Sequence, residues 1–269
     1  MSQRLREVWR QTREAYERGS YPVEGREVDL TAPLTEMRSG TRLYTPEEIA
    51  SLPLPEPRFE TRYEVTGEDT LAAARRLTVE TGGRVAALNF ASARNPGGGV
   101  ANGARAQEES LARSSALYDS LIRCPDFYAH HRAERSLLYS DRVIWSPSVP
   151  VYRDARGDWL PEAVPVDMLT SAAPNRRMVE RNQPEQADSV SPALESRARA
   201  VLAVAAHHGA SRLILGAWGC GVFGNDPADV AGAFGKGLHG EFDGIFERVV
   251  FAVLDRDPGV GRPFEEVFT

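Results

Sequence analysis

The sequence predicts an α/β domain in which a sheet lies between helix layers, with a helical and irregular extension at its N-terminus. Three observations predict it. From Phe59 onward, short apolar runs of strand length alternate with longer stretches of helical periodicity. Two glycine-rich segments each directly follow one of the apolar runs, where strand-to-helix connections fall. A chain of 269 residues at 42% apolar and 26% charged composition can also bury one sizeable core.

Taken in order, residues 4–19 place Leu5, Val8, Trp9, Thr12, Ala15 and Tyr16 at helical spacing up to Gly19, which predicts an amphipathic helix. Residues 21–57 are rich in Pro, Gly and Thr and read as an irregular wrapping segment with short extended pieces at 26–30 and 41–45 and a short helical turn from Pro46, so 1–58 is taken as an extension packed on a main domain at 59–269. The main domain opens with a strand (RFETRYEV), a helix led in by Glu68 and Asp69, and a buried strand (RVAALNF), one βαβ unit. Residues 107–123 read as one helix and 125–134 as a shorter one. The runs at 142–153 and 163–172 read as strands whose prolines favour edges and connections over a central ladder. Residues 173–190, polar and arginine-rich, read as a mobile loop. A helix over 191–206, a buried strand over 212–218, a turn over 219–226, a helix with Pro227 in its first turn and a last strand over 248–255 follow. Phe264 and Phe268 are expected to staple the C-terminus to the body.

Net charge is −6, from 38 acidic and 32 basic residues, and no segment forms a long basic run. General attraction to nucleic-acid phosphates is thereby excluded, and a polyanionic substrate has to be recognised through a preformed pocket for one unit. The N-terminal stretch is polar and periodic, unlike a signal peptide, and no run approaches the roughly 18 apolar residues of a membrane span. A cytoplasmic monomer without membrane contact is expected. Cys124 and Cys220 are too few and too distant for a disulfide scaffold or zinc site, and His130 and His131 lack partners at ligand spacing and read as surface or helix-end residues. No metal or cofactor is expected.

The chemistry concentrates in residues 89–110, NFASARNPGGGVANGARAQEES. Three adjacent glycines lose much backbone entropy on folding, and the usual compensation is close approach of a ligand to bare backbone. Seven residues separate Gly97-Gly98-Gly99 from Gln107-Glu108-Glu109. An isolated acidic pair opening a helix merely complements the helix dipole. Its linkage to the glycines, and to a second glycine loop, turns the reading towards a site. That second loop, Gly219-Cys220-Gly221-Val222-Phe223-Gly224, matches G-x-G-x-x-G, with Asp243 beyond it at the distance of a ribose-binding acid. Its position on the penultimate βα unit argues against a nicotinamide-dinucleotide fold, because too little chain follows to build a dinucleotide half. Two such loops facing each other at the carboxyl ends of a sheet can instead clamp one diphosphate.

The triple glycine, the seven-residue spacer and the Gln-Glu-Glu, together with GCGVFGN, resemble the signature of poly(ADP-ribose) glycohydrolases of the bacterial type, over roughly Phe59 to Asp255. The resemblance implies a macrodomain, a three-layer α/β/α sandwich around a mixed sheet. It implies that Glu109 is the catalytic acid/base and that Glu108 holds ribose hydroxyls and positions Glu109. Gly97, Gly98 and Gly99 would pass close to the distal ribose, and Gly219 through Asn225 would wrap the diphosphate, with Phe223 packing on the terminal ribose. Asn89, Asn95 and Gln107 are carried over as substrate-binding positions. Many macrodomains have a second Asn three residues after the one matching Asn89; here Ser92 stands there, which leaves open which side chain orients the ribose.

Cleaving a ribose–ribose O-glycosidic bond passes through an oxocarbenium-like state and needs a protonated carboxyl beside the leaving oxygen. Like charge and desolvation in an adjacent glutamate pair raise carboxyl pKa values towards the range useful at neutral pH. The expected activity is hydrolysis of poly(ADP-ribose), free or on ADP-ribosylated proteins, from the chain end, with ADP-ribose as product. The rival readings are a macrodomain that binds ADP-ribose without turning it over and, more remotely, a nicotinamide oxidoreductase.

Overall fold

In the central strands, side chains alternate between two buried faces. The computed structural model describes residues 2–254 and 258–269. On β5 (Ala86–Phe90), Ala86 and Leu88 join one core cluster while Ala87 joins the other. On β8 (Arg212–Leu215), Leu213 and Leu215 oppose Ile214, and on β9 (Arg248–Ala252), Val249 and Phe251 oppose Val250. A strand buried on both faces reads as a continuous apolar run and needs a helix layer on each side.

The order along the chain is α1 (Ser2–Arg18), β1 (Ser20–Val23), β2 (Arg26–Asp29), α2 (Thr31–Gly40), β3 (Arg42–Tyr44), α3 (Pro46–Ala50), β4 (Arg62–Thr66) and α4 (Thr70–Thr81) before β5. After β5 come α5 (Gln107–Ser114), α6 (Leu117–Leu121), α7 (Pro125–Ala133), β6 (Val143–Arg153), β7 (Trp159–Ser171), α8 (Arg176–Asn182) and α9 (Val190–His207). Then β8, α10 (Pro227–Leu238), β9 and α11 (Pro258–Phe268) close the chain. Seven strands form one mixed sheet in the order β3-β6-β7-β5-β8-β9-β4. β5 runs parallel to β7 and β8, and β9 parallel to β8 and β4, whereas β6 is antiparallel to both its neighbours. Helices α9, α10 and α11 supply one core cluster, and α1, α2 and α4 to α7 the other. This is the expected macrodomain-like α/β/α arrangement.

Several local expectations need correction. Residues 21–57 are more ordered than an irregular segment: the expected extended pieces and the turn from Pro46 are β2, β3 and α3, but the chain also forms α2, the strands β1 and β2 pair as a hairpin, and β3 is an edge strand of the main sheet. The helix expected over 107–123 is broken at Ser115, which leaves helical geometry to bridge Val151, so α5 and α6 are separate. The supposed mobile loop at 173–190 folds into α8 and a 3-10 turn over Pro184–Ser189; the Asn175 side chain accepts the Met178 N–H, and Arg176 pairs with Asp229. Local composition could not show these caps, because two of their partners come from α10 and from the second glycine loop.

The proline-bearing strands β6 and β7 are long and central rather than marginal. β3 flanks β6 only along Val143–Trp145, Pro147 falls in a register shift between Ser146 and Val149, and Pro150 faces Pro165. Pro147 and Pro150 thus lie where the outer side of β6 carries no strand partner, and Pro165 precedes the part of β7 that pairs with β5 from Asp167 onward, which spares the ladder. The last strand ends at Ala252, and Asp255 lies outside the described residues. Phe264 and Phe268 are buried, Phe268 stacking on Phe251 with ring centroids 4.1 Å apart.

Candidate active site

The parallel strands β5, β7, β8 and β9 all end at one cleft of about 630 Å³, whose walls include Ser92 after β5, Ala173 after β7, Gly219 after β8 and Leu254 after β9. Ligands of open α/β sheets bind at this edge, and the volume is that of a small-molecule site. The first glycine segment bends the chain leaving β5 back into α5. Ser92 Oγ accepts the N–H groups of Arg94 and Asn95 at 3.4 and 3.2 Å, and Gly98 N–H donates to Asn95 O at 3.0 Å. Gln107 then clamps the start of α5 to β5: its Oε1 accepts Phe90 N–H at 2.9 Å, and its Nε2 donates to Leu88 O at 2.8 Å and Thr70 Oγ1 at 3.1 Å.

This clamp sets Glu108 and Glu109 on the first turn of α5, both facing inward at 3% and 7% exposure. Glu108 is held on both oxygens, Oε2 by Ser92 N–H at 2.7 Å and Oε1 by Asn89 Nδ2 at 3.3 Å; the same Nδ2 also reaches Thr170 Oγ1 at 3.1 Å. Burial pushes the Glu108 carboxyl up to about 8, with the Glu109 charge adding to the rise and the Ser92 and Asn89 donors opposing it. Glu109 is held on one oxygen only. Its Oε1 accepts Gly99 N–H at 2.8 Å, while Oε2 is buried with no partner among the described residues.

The middle glycine is required by these carboxylates. Gly98 has φ +57°, and a Cβ there would collide with Glu109 Oε1 and lie 3.1 Å from Glu108 Oε2. Gly97 has φ +67° and lies under Tyr118, whose Cδ2 would be 2.8 Å from an added Cβ; at Gly99 the obstacle is Ala104 Cβ at 2.9 Å. Glu109, Tyr118 and Ala104 thus each approach bare backbone in this turn.

The second loop faces the first. Gly219, Cys220, Gly221, Val222 and Phe223 line the cleft. Gly224 and Asn225 lock the loop from behind: Asn225 donates its N–H to Gly219 O at 3.0 Å and its Nδ2 to Pro174 O at 2.9 Å, and Gly224 N–H donates to Gly221 O at 3.2 Å. Gly219 has φ +74° and could not carry a side chain without striking Asn225 and Ala173. The backbone N–H groups of Gly221, Val222 and Phe223 have no partner among the described residues. Exposed loop amides of this kind suit an anion. Phe223 is half-buried beside Tyr139 at 6.2 Å, and its carbonyl accepts Arg177 N–H at 2.9 Å.

Not every predicted position lines the cleft. Gln107 does, while also clamping α5 to β5, but Gly97, Gly98, Gly99, Gly224 and Asn225 are not among its walls; Asn95 is exposed on the turn, and Asn89 acts by holding Glu108. His131 is fully buried, contrary to the surface reading; its Nε2 lies 2.8 Å from Ser140 Oγ, and burial pushes its pKa down to about 3. Asp243 is exposed beyond the far end of α10, which removes the ribose acid that a dinucleotide fingerprint needs. Sequence reasoning missed Thr170, Tyr118, Arg177 and the cleft walls Leu5, Val8, Arg105 and Arg156. Apart from Arg105, which lies in the first glycine segment itself, each comes from another element, and none carries a local signal. Among the described residues no cluster of His, Cys, Asp or Glu could hold a metal, and no helix is long and apolar enough to cross a membrane.

A single carboxylate pair over a nucleotide-sized cleft, on a mixed sheet of this order, marks a macrodomain-type glycosidase. The comparisons with known proteins narrow this. The profile of the microbial-type PARG catalytic domain matches residues 10–154, more than half the chain. The crystal structure of poly(ADP-ribose) glycohydrolase from Thermomonospora curvata is 50% identical, with 99% of this chain and 100% of that chain covered and a TM-score of 0.92. The same enzyme bound to the inhibitor ADP-HPD is 50% identical over 98% of this chain and 99% of that one, with a TM-score of 0.89. The Deinococcus radiodurans enzyme in complex with ADP-ribose is 47% identical over 86% and 95%, with a TM-score of 0.79. No curated protein matches the chain. The chain belongs to the microbial-type poly(ADP-ribose) glycohydrolase family and is a glycoside hydrolase.

Proposed function

We propose that the chain hydrolyses the ribose–ribose O-glycosidic bonds of poly(ADP-ribose) from the chain end and releases ADP-ribose, with Glu109 as general acid and then general base. The observation that carries this reading is the asymmetry of Glu109: one oxygen is fixed by Gly99 N–H and the other is buried, unpartnered and on a residue that lines the cleft. Such an oxygen can give its proton to the departing ribose oxygen as the oxocarbenium-like state forms, and then take a proton from the attacking water. Glu108, held by Ser92 and Asn89, would receive ribose hydroxyls and keep Glu109 in place. Gly219 to Asn225 would wrap the diphosphate through the exposed amides of the loop tip, and Phe223 would pack on the terminal ribose.

The relatives from Thermomonospora curvata and Deinococcus radiodurans, with bound inhibitor and ADP-ribose, support this choice of ligand. Residues 1–58 are a packed part of the same catalytic unit as 59–269, and the enzyme is a cytoplasmic monomer that works away from the membrane. The acidic net charge and the lack of any basic run support an enzyme that does not bind nucleic acid. Purified protein incubated with poly(ADP-ribose) should release free ADP-ribose, and ADP-ribose should inhibit competitively. Glu109→Gln should lower turnover by about 10³-fold or more while calorimetry shows ADP-ribose binding retained. Equal inertness of wild type and Glu109→Gln, with both still binding ADP-ribose, would mean a binding module instead.

A further inference from the structure

The cleft does not end at Glu109. It runs on past the first turn of α5 to a mouth walled by Leu5 and Val8 of α1, by Arg105 just before α5, and by Arg156 on the β6–β7 turn. This mouth is built by close packing: Gly103 sits against the backbone of Ser2, Gly157 lies beneath Val8, and Arg4 donates to Arg156 O at 3.1 Å. Arg105 follows Ala104, which packs on Gly99 and accepts from Arg113; Arg113 in turn feels both Glu109 and Arg105 as neighbouring charges. Arg105 and Arg156 are exposed and their guanidinium groups have no partner among the described residues, whereas Asp154, which also lines the cleft, accepts the N–H groups of Arg156 and Asp158 on its Oδ1. Two unpaired cations at one mouth are notable in a chain of net charge −6.

We infer that this mouth is a second anion subsite, which holds the diphosphate of the ADP-ribose unit on the leaving side of the scissile bond, with Arg105 and Arg156 as its cations and Leu5 and Val8 as its apolar wall. The inference rests on the glycohydrolase reading above. The second glycine loop takes the terminal unit at one end of the cleft, so the departing chain must leave at the other, where each further unit brings two negative phosphates. Planar guanidinium groups match phosphate oxygens in charge and geometry.

The test compares wild type with the double variant Arg105→Ala/Arg156→Ala in steady-state hydrolysis of poly(ADP-ribose) at several salt concentrations, with calorimetric binding of monomeric ADP-ribose alongside. The expected result is a rise in KM for polymer of about ten-fold and a shallower dependence of log KM on log salt, with the affinity for ADP-ribose changed less than two-fold. The double variant Arg105→Lys/Arg156→Lys should recover part of the loss. An active wild type whose KM and salt dependence are matched by the alanine variant would overturn the subsite alone. A parallel loss of ADP-ribose affinity would also overturn it, by putting both arginines at the terminal unit. A wild type inert on polymer would overturn the subsite together with the activity on which it rests.

Discussion

Glu108 and Glu109 are neighbours in sequence yet stand in different surroundings, which is what the different tasks proposed for these two identical side chains rest on. Glu108 has both oxygens occupied and its pKa raised by burial to about 8, against an ordinary 4.5. A carboxyl whose folded pKa lies above its unfolded value binds its proton more tightly in the folded state. Its contribution to stability is therefore complete below pH 4.5 and is lost as the pH rises to about 8. Glu108→Gln, which keeps an acceptor for Ser92 N–H but cannot ionise, should flatten the fall of Tm over that window, as a series of thermal melts would show. His131 works in the opposite direction. Buried neutral with its pKa near 3, it gives stability that is complete above 6.5 and is lost as the pH falls, so it steepens acid unfolding.

At the scale of elements, the site is two strand-to-helix connections facing each other, and each is shaped by where a side chain is forbidden. At Gly98 a left-handed backbone and two carboxylates leave no room for Cβ. Gly98→Ala should cost about 1–3 kcal/mol of stability and remove most turnover, because Glu109 Oε1 would have to leave the Gly99 N–H. Denaturant unfolding measures the first effect and polymer hydrolysis the second. If Gly98→Ala kept full activity, the glycine would not be needed for placing Glu109. The second connection depends on α8, whose Arg177 N–H fixes the Phe223 carbonyl and whose N-terminal cap is Asn175. Compositional reading failed at α8 for a physical reason: a short polar segment is held by partners from α10 and the glycine loop, and local periodicity cannot see them.

Across the whole molecule, the N-terminal segment stands behind the catalytic turn. Trp9 of α1 packs edge-on to Tyr118 with ring centroids 5.0 Å apart, Tyr118 lies over Gly97, and Thr12 Oγ1 donates to Arg113 O at 2.6 Å on the helix that carries the glutamates. Trp9→Ala should cost about 3–5 kcal/mol and should also slow hydrolysis, since the support beneath Gly97 loosens. A variant that unfolds earlier but, while folded, turns over at the wild-type rate would mean that α1 is only a clasp. Residues 21–57 likewise add an edge strand and the β1–β2 hairpin, and the seven-stranded sheet is incomplete without them.

Much of this protein was legible in its residues. Alternating apolar runs reported the α/β layers because strands buried on two faces must be apolar throughout. The triple glycine with Gln-Glu-Glu reported the acidic site because both halves lie within 22 residues, Asn89 to Ser110, of one connection. Tertiary structure alone decided the rest: that Gly98 makes room for the two glutamates, that burial raises Glu108, that Glu109 keeps one oxygen unpartnered among the described residues, and that α1 and the β6–β7 turn extend the cleft. These depend on atoms brought together in space, some from the same 22-residue stretch and others from segments more than a hundred residues apart. Desolvation and steric exclusion act between neighbours in space, whereas sequence spacing reports neighbours along the chain.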